Sequence, residues 1–291
     1  MSVYAITGKL GSGKSLVSVG RIVDYLRRGR KVASNLNLHL DKLLPARSLA
    51  SYVRLPDFPS VDDLNLLGHA HDSCDESQNG LIVLDECGVL FNSRDWADKA
   101  RQGIISWLLH SRKLGWDVIL IVQDVQLIDK QIRTALLEHV GICKRTDRFQ
   151  IPFIGWILKM AGLPHRPPRM HLCTVKYGTD LHALVVDRWY YRGVLIQDGY
   201  DTKQVFNAAT SPGIYSALPP WHTKGRYLPP LFSTRVKMWF AGTPWRPALE
   251  KKPKHPLIEK IQKLPPNRRL EFVKRFEATG AFEKYQAGAT P

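Results

Sequence analysis

Eight residues, Gly8-Lys9-Leu10-Gly11-Ser12-Gly13-Lys14-Ser15, constrain this chain more than any other stretch. They satisfy G-x-x-x-x-G-K-[ST], the loop whose backbone N–H groups wrap a nucleotide's phosphates. The flanks have the order this chemistry requires. Val3-Tyr4-Ala5-Ile6 reads as a short buried strand. Residues 16–28 read as a helix, with Leu16, Val19, Ile22, Val23 and Leu26 on one face and Gly29 as its stop. Strand, glycine loop and helix start turn the unpaired N–H groups of a first helical turn toward an anion. The segment from Gly8 through Leu16 is therefore the expected ATP-binding loop. Lys14 should reach the β- and γ-phosphates, and the Ser15 hydroxyl should complete a Mg²⁺ shell.

Such a loop needs an acidic partner at the end of another buried strand. Leu81-Ile82-Val83-Leu84-Asp85-Glu86 supplies it. The apolar run carries Asp85 to the carboxyl end of a strand, where open α/β sheets bind their ligands. Asp85 is the expected Mg²⁺ ligand, directly or through water, and Glu86 the group that orients and deprotonates an attacking water. Asp75-Glu76 is a second acidic pair, but no apolar run precedes it. A further strand, residues 118–122, ends at Gln123. In hydrolases with an extra strand between loop strand and acidic strand, a polar residue here reaches the γ-phosphate, and Gln123 is assigned that role.

The remaining texture sets the fold class. Residues 31–34 read as a second strand, 98–113 and 129–139 as helices, and 140–144 as a strand. Residues 39–79 are polar and broken by prolines, with a short helix starting at Ser60. Continuously apolar strands alternating with helices predict an α/β fold, a P-loop NTPase whose mainly parallel sheet is covered by helices on both faces. Residues 172–177 and 184–191 alternate more and carry aromatics, which predicts a small antiparallel extension of the same domain. The domain is expected to span residues 1–210. Residues 211–253, with eight prolines, read as a Pro/aromatic linker. Residues 254–291 read as a basic tail of short helices broken at Pro265-Pro266.

Charge points to an anionic partner. The net charge is +16, and residues 251–291 hold ten Lys or Arg against four Glu. Cys74, Cys87, Cys143 and Cys173 have no metal or redox spacing, which predicts reduced thiols. His69, His71, Asp72 and Cys74 lie close together but lack a second ligand pair, so a solvated loop is expected there. The first strand begins at Val3, leaving no room for a signal peptide, and no apolar stretch is long enough to span a membrane. The best interfacial candidate, residues 151–163, contains Lys159 and Pro152. These features predict a cytosolic protein, peripheral at most to a membrane.

An ordered set of segments resembles the zonular occludens toxin family, whose members are mostly assembly ATPases of filamentous phages. The set runs from Ile6-Thr7-Gly8 through Gly13-Lys14-Ser15, Val32-Ala33-Ser34-Asn35-Leu36 and Val83-Leu84-Asp85-Glu86. It continues with His110-Ser111-Arg112-Lys113-Leu114-Gly115-Trp116-Asp117, Val118-Ile119-Leu120-Ile121-Val122-Gln123 and Ile128-Asp129-Lys130-Gln131-Ile132-Arg133, and closes with Tyr200-Asp201-Thr202-Lys203. The resemblance implies an additional-strand ATPase that drives phage single-stranded DNA through an export channel at the inner membrane while coat protein assembles. Phage DNA, coat protein, channel protein and further copies of the chain in a ring are the implied partners. A ring would take an arginine from a neighbouring subunit, with Arg94, Arg101, Arg112, Arg133, Arg145 and Arg148 as candidates. One departure is plain: family members usually carry a transmembrane helix after the ATPase domain, where this chain has its Pro/aromatic stretch and basic tail. The other readings are a genome-packaging ATPase of a phage capsid and a nucleotide-gated scaffold that binds DNA or coat protein with little turnover. Glu86 beside Asp85 argues against the scaffold, because a pure binder needs no base.

Overall fold

The computed structural model describes residues 2–73, 75–91, 99–128, 130–148, 169–178, 183–207, 211–229 and Thr234. The chain divides into two compact units, Met1–Gly225 and Arg226–Pro291. In the first, the strands are β1 (Val3–Thr7), β2 (Val32–Ser34), β3 (Val53–Arg54), β4 (Gly80–Leu84), β5 (Trp116–Ile121), β6 (His139–Arg145), β7 (Met170–Tyr177), β8 (Val185–Arg192) and β9 (Tyr215–Ser216). The helices are α1 (Lys14–Arg27), α2 (Leu40–Leu43), α3 (Val61–Asn65), α4 (Cys87–Leu90), α5 (Lys99–His110), α6 (Lys130–Leu136) and α7 (Pro220–Thr223).

Among the described residues the strands form one sheet in the order β8-β7-β6-β1-β5-β4-β2-β3-β9. From β6 to β3 every neighbouring pair is parallel, while β7, β8 and β9 add antiparallel edges. The central strands are apolar at successive positions because both faces are covered. Their alternating side chains divide between two cores. Ile6, Leu81, Val83, Ile119 and Ile121 pack on one face with Leu16, Val19, Ile22 and Leu26 of α1. Val3, Ala5, Ile82, Leu84, Val118 and Leu120 pack on the other with Ile104, Trp107 and Leu108 of α5.

The expected additional strand is present: β5 lies between β1, which feeds the glycine loop, and β4, which feeds Asp85. Ile6 pairs with Ile121, and Leu84 with Leu120, so the three strands end at one level. The antiparallel extension is β6-β7-β8, in which Cys143 stands opposite Cys173 with both thiols free and buried. The short helix at Ser60 starts on a capping box, Asp63 N–H donating to Ser60 Oγ and Ser60 N–H to Asp63 Oδ2.

Residues 211–225 differ from the linker expected of them. They belong to the first compact unit. β9 pairs antiparallel with β3, Ser211 Oγ accepts from the Asp57 N–H at 2.6 Å, and Lys224 meets Asp41 at 2.8 Å. Prolines here shape a strap that returns to the sheet edge, a use their spacing does not distinguish from an extended linker. The rest of the expected linker beyond residue 229, and the basic tail, lie outside the described residues apart from Thr234, as do residues 151–163. Among the described residues no helix is long and apolar enough to cross a membrane.

Candidate active site

The site grows from the ends of β1, β4 and β5. Val122 N–H donates to the Ile6 carbonyl at 3.0 Å, and Thr7 Oγ1 to the Gln123 carbonyl at 2.9 Å, which holds the end of β5 against the start of the loop. A cavity of about 610 Å³ opens above these ends, lined by Gly13, Lys14, Ser15, Asp85, Glu86 and Gln123, with Leu10, Leu36, Leu127, Tyr200 and Phe206 around them. Of the expected site residues, Leu10, Gly11, Gly13, Lys14, Ser15, Leu16, Asp85, Glu86 and Gln123 line this one space, and Gly8, Lys9 and Ser12 do not.

Helix α1 begins at Lys14, two residues before the apolar periodicity indicates. Its first backbone bond runs from Val17 N–H to the Gly13 carbonyl at 2.9 Å, so the N–H groups of Lys14, Ser15 and Leu16 precede the first intrahelical bond. Gly13 caps the helix at a φ of 92°, a left-handed backbone that suits glycine. A Cβ at Gly13 would stand 1.9 Å from His171 Nδ1 on β7. His171 is buried under the loop, with Nδ1 3.2 Å from the Ser12 carbonyl. Since a carbonyl only accepts, Nδ1 carries the proton. Nε2 is buried with no partner among the described residues, and burial lowers the pKa of this imidazole.

Lys14 Nζ reaches back to the Gly8 carbonyl at 2.9 Å. Ser15 Oγ donates to Asp85 Oδ2 at 2.9 Å, and Glu86 N–H donates to Asp85 Oδ1 at 2.8 Å. Burial raises the pKa of Asp85, opposed by those two donors and by Lys14. Glu86 follows in a left-handed conformation, with φ 57° and ψ 32°. It is the one such non-glycine residue among those described. An L-residue here is strained, and such strain collects where geometry serves function.

These groups fit a nucleotide and its metal ion. The loop holds a buried Ser12 hydroxyl with no partner among the described residues, and a hydroxyl and a carboxylate already meet at hydrogen-bond distance. A hydroxyl–carboxylate pair is a hard-oxygen donor set suited to Mg²⁺.

The family model described as "Zonular occludens toxin (Zot)" matches residues 2–165. The chain is also 49% identical over 235 residues to the "Gene 1 protein" of Enterobacteria phage fd, covering 79% of this chain and 68% of that protein. The chain belongs to the zonular occludens toxin family. The Gene 1 protein of Enterobacteria phage M13 matches with the same identity and coverage. The crystal structure of the N-terminal domain of zonular occludens toxin from Neisseria meningitidis is similar at 18% identity and a TM-score of 0.37, over 69% of this chain and 98% of that one.

This Zot-family chain has a P-loop NTPase fold, and its site holds residues that sequence reasoning did not assign. His171 supports the loop from β7. Asn35, after β2, bonds the backbone of Asp85. The segment from Tyr200 to Phe206 walls the same cavity through Tyr200, Asp201, Thr202, Gln204 and Phe206. Its signal was the Tyr200-Asp201-Thr202-Lys203 string, which marked the family without suggesting a place in the site. Among the arginine candidates, Arg112 pairs with Glu76, and Arg145 pairs with Asp147 while donating to the Gly11 carbonyl at 3.3 Å. Arg94 lies outside the described residues. His71 is engaged by Asn79 at 2.9 Å and Ser73 at 3.0 Å, and Cys74 is outside the described residues.

Proposed function

We propose that this protein is an ATP-hydrolysing motor of phage assembly that drives single-stranded phage DNA outward at the bacterial inner membrane. The carrying observation is the Ser15–Asp85 hydrogen bond, which unites the loop and the acidic strand, with Glu86 one residue further.

In this reading the loop N–H groups and Lys14 Nζ bind the triphosphate, Lys14 releasing the Gly8 carbonyl to reach it. Ser15 Oγ and Asp85 would hold Mg²⁺, which when bound neutralises phosphate charge. Glu86 accepts the proton of the attacking water. Gln123, exposed at the end of β5, donates its side-chain amide to the γ-phosphate. The tail contacts DNA through its cations, so binding should fall steeply as salt rises. Coat protein, an export channel and other copies of the chain in a ring complete the machine. Attachment to the membrane, in this reading, is peripheral and uses the basic tail.

The test is ATP turnover with and without added single- and double-stranded DNA, with oligomeric mass measured in parallel. Stimulation by single strands in an oligomer is expected. A chain that binds ATP and does not turn it over under any of these conditions is a scaffold, and the motor reading ends. Virion release that depends on lysis would instead favour capsid packaging.

A further inference from the structure

The end of β2 carries a polar network that no catalytic role above uses. Asn35 is fully buried. Its Oδ1 accepts from the Asp85 N–H at 2.8 Å, and its Nδ2 donates to the Asp85 carbonyl at 3.1 Å and the Asp57 carbonyl at 3.0 Å. One side-chain amide thus grips both backbone polar groups of the residue expected to hold the metal.

The Asn35 backbone is gripped in turn. Gln204 Nε2 donates to the Asn35 carbonyl at 2.8 Å, and Gln204 Oε1 accepts from the Asn37 N–H at 2.8 Å. Gln204 belongs to the segment that walls the cavity. That segment is fastened to the same stretch of backbone elsewhere: Leu38 bridges Tyr200, and Asp201 N–H donates to the Asn37 carbonyl at 3.2 Å. Behind it, the buried Arg54–Asp57 pair bonds Asn37 Oδ1 and accepts from the Asn207 N–H.

We propose that Asn35 and Gln204 are positioning residues, an amide relay through which the Tyr200–Phe206 wall sets the metal-binding geometry of Asp85. Two features make this more than packing. Asp85 has one carboxylate oxygen on Ser15 and the other on the Glu86 N–H, so its carboxylate direction is fixed by its backbone direction. Asn35 fixes that backbone from both sides, which an apolar residue of equal volume cannot do. Because the wall is held by the other end of the relay, nucleotide contact with the wall and metal contact with Asp85 are coupled. Groups that orient a metal ligand without touching the metal are typically worth about 10–100-fold in affinity or activity.

The proposal rests on the nucleotide-binding reading of the same site, and its test separates the two. Full-length Asn35→Ala and Gln204→Ala chains are titrated with a fluorescent N-methylanthraniloyl ATP, once in EDTA and once across a Mg²⁺ series, and steady-state hydrolysis is recorded alongside. The expected result is near wild-type affinity in EDTA, a Mg²⁺ requirement raised about 10-fold, and a reduced kcat at nearly constant KM. Where Asn35→Ala no longer melts cooperatively, Gln204→Ala decides, since its side chain is only partly buried. A folded variant with the wild-type Mg²⁺ response overturns the relay, as does equal loss of binding in EDTA. Absence of turnover in the wild-type chain removes the motor reading alone, because the Mg²⁺ response of binding still decides the relay.

Discussion

Ser15 Oγ and Asp85 Oδ2 stand 2.9 Å apart, joining the start of α1 to the end of β4 across an intervening strand. The bond forms because β1, β5 and β4 are parallel and end together, which stacks the glycine loop and the acid on one edge. Ser15→Ala removes one of the two expected metal contacts while leaving the phosphate loop in place. Its turnover should fall and its Mg²⁺ requirement rise, with ATP still bound. Lys14→Ala should instead lose turnover by about 100-fold or more and abolish phage release, with an unchanged circular dichroism spectrum. Normal phage titres from Lys14→Ala cells would be incompatible with a motor.

Glu86 holds a left-handed backbone at φ 57°. Glycine adopts that conformation without the side-chain clash, which costs an L-residue about 1 kcal/mol or more. Glu86→Gly should therefore melt at or above the wild-type temperature while losing hydrolysis. Glu86→Gln should also lose hydrolysis and keep ATP binding, without that thermal gain. Calorimetry with a turnover assay checks both, and a Glu86→Gly chain that still turns over at the wild-type rate removes Glu86 as the base.

Gly13→Ala meets two obstacles, a φ of 92° and the His171 ring 1.9 Å from the new Cβ. Destabilisation of about 3 kcal/mol or more is expected. His171→Ala in the same chain should restore only the part due to the clash, since the backbone penalty stays. Chemical denaturation of the single and double variants measures the split.

His171 also predicts a pH dependence. Burial lowers its pKa below the ordinary value of 6.5, so between the two values the unfolded chain binds the extra proton and the folded chain does not. The stability this contributes is present above pH 6.5 and is lost as pH falls through the folded value. His139, also lowered by burial, acts in the same direction. Thermal melts from pH 7.5 to pH 5 should decline for the wild type and decline less for His171→Asn. An equal decline in both would assign the effect to other groups.

Arg54 and Asp57 form an ion pair at 2.7 Å with side chains 1% and 7% exposed. Removing one partner of such a pair leaves a buried charge uncompensated, at a cost of about 3–5 kcal/mol. Asp57→Ala should show that loss in urea denaturation. Replacing both partners with apolar residues should cost less than the single change, if the pair's role is confined to stability.

The parts legible in the sequence share a physical cause. β1, β4 and β5 are buried on both faces, so they read as apolar runs, and the glycine loop announces itself because its backbone demands glycine at fixed places. Helix α1 begins at Lys14, two residues ahead of its apolar pattern, because its first turn faces the cavity and not the core. β3 and β9 were not legible, being two-residue strands with no hydrophobic run of their own. Asn35, Gln204 and His171 have no spacing signature either. Each works through a few hydrogen bonds made across the fold, and only the folded chain brings their partners near.

The pairing of Val53–Arg54 with Tyr215–Ser216 has a consequence for synthesis. During translation the outer edge of β3 emerges long before the strand that covers it, and its N–H and C=O groups stay open to other chains in that interval. Such distant closure is slow. A ribosome stalled near codon 210 would hold a nascent chain with its nucleotide loop already made and one flank of the sheet still unsealed.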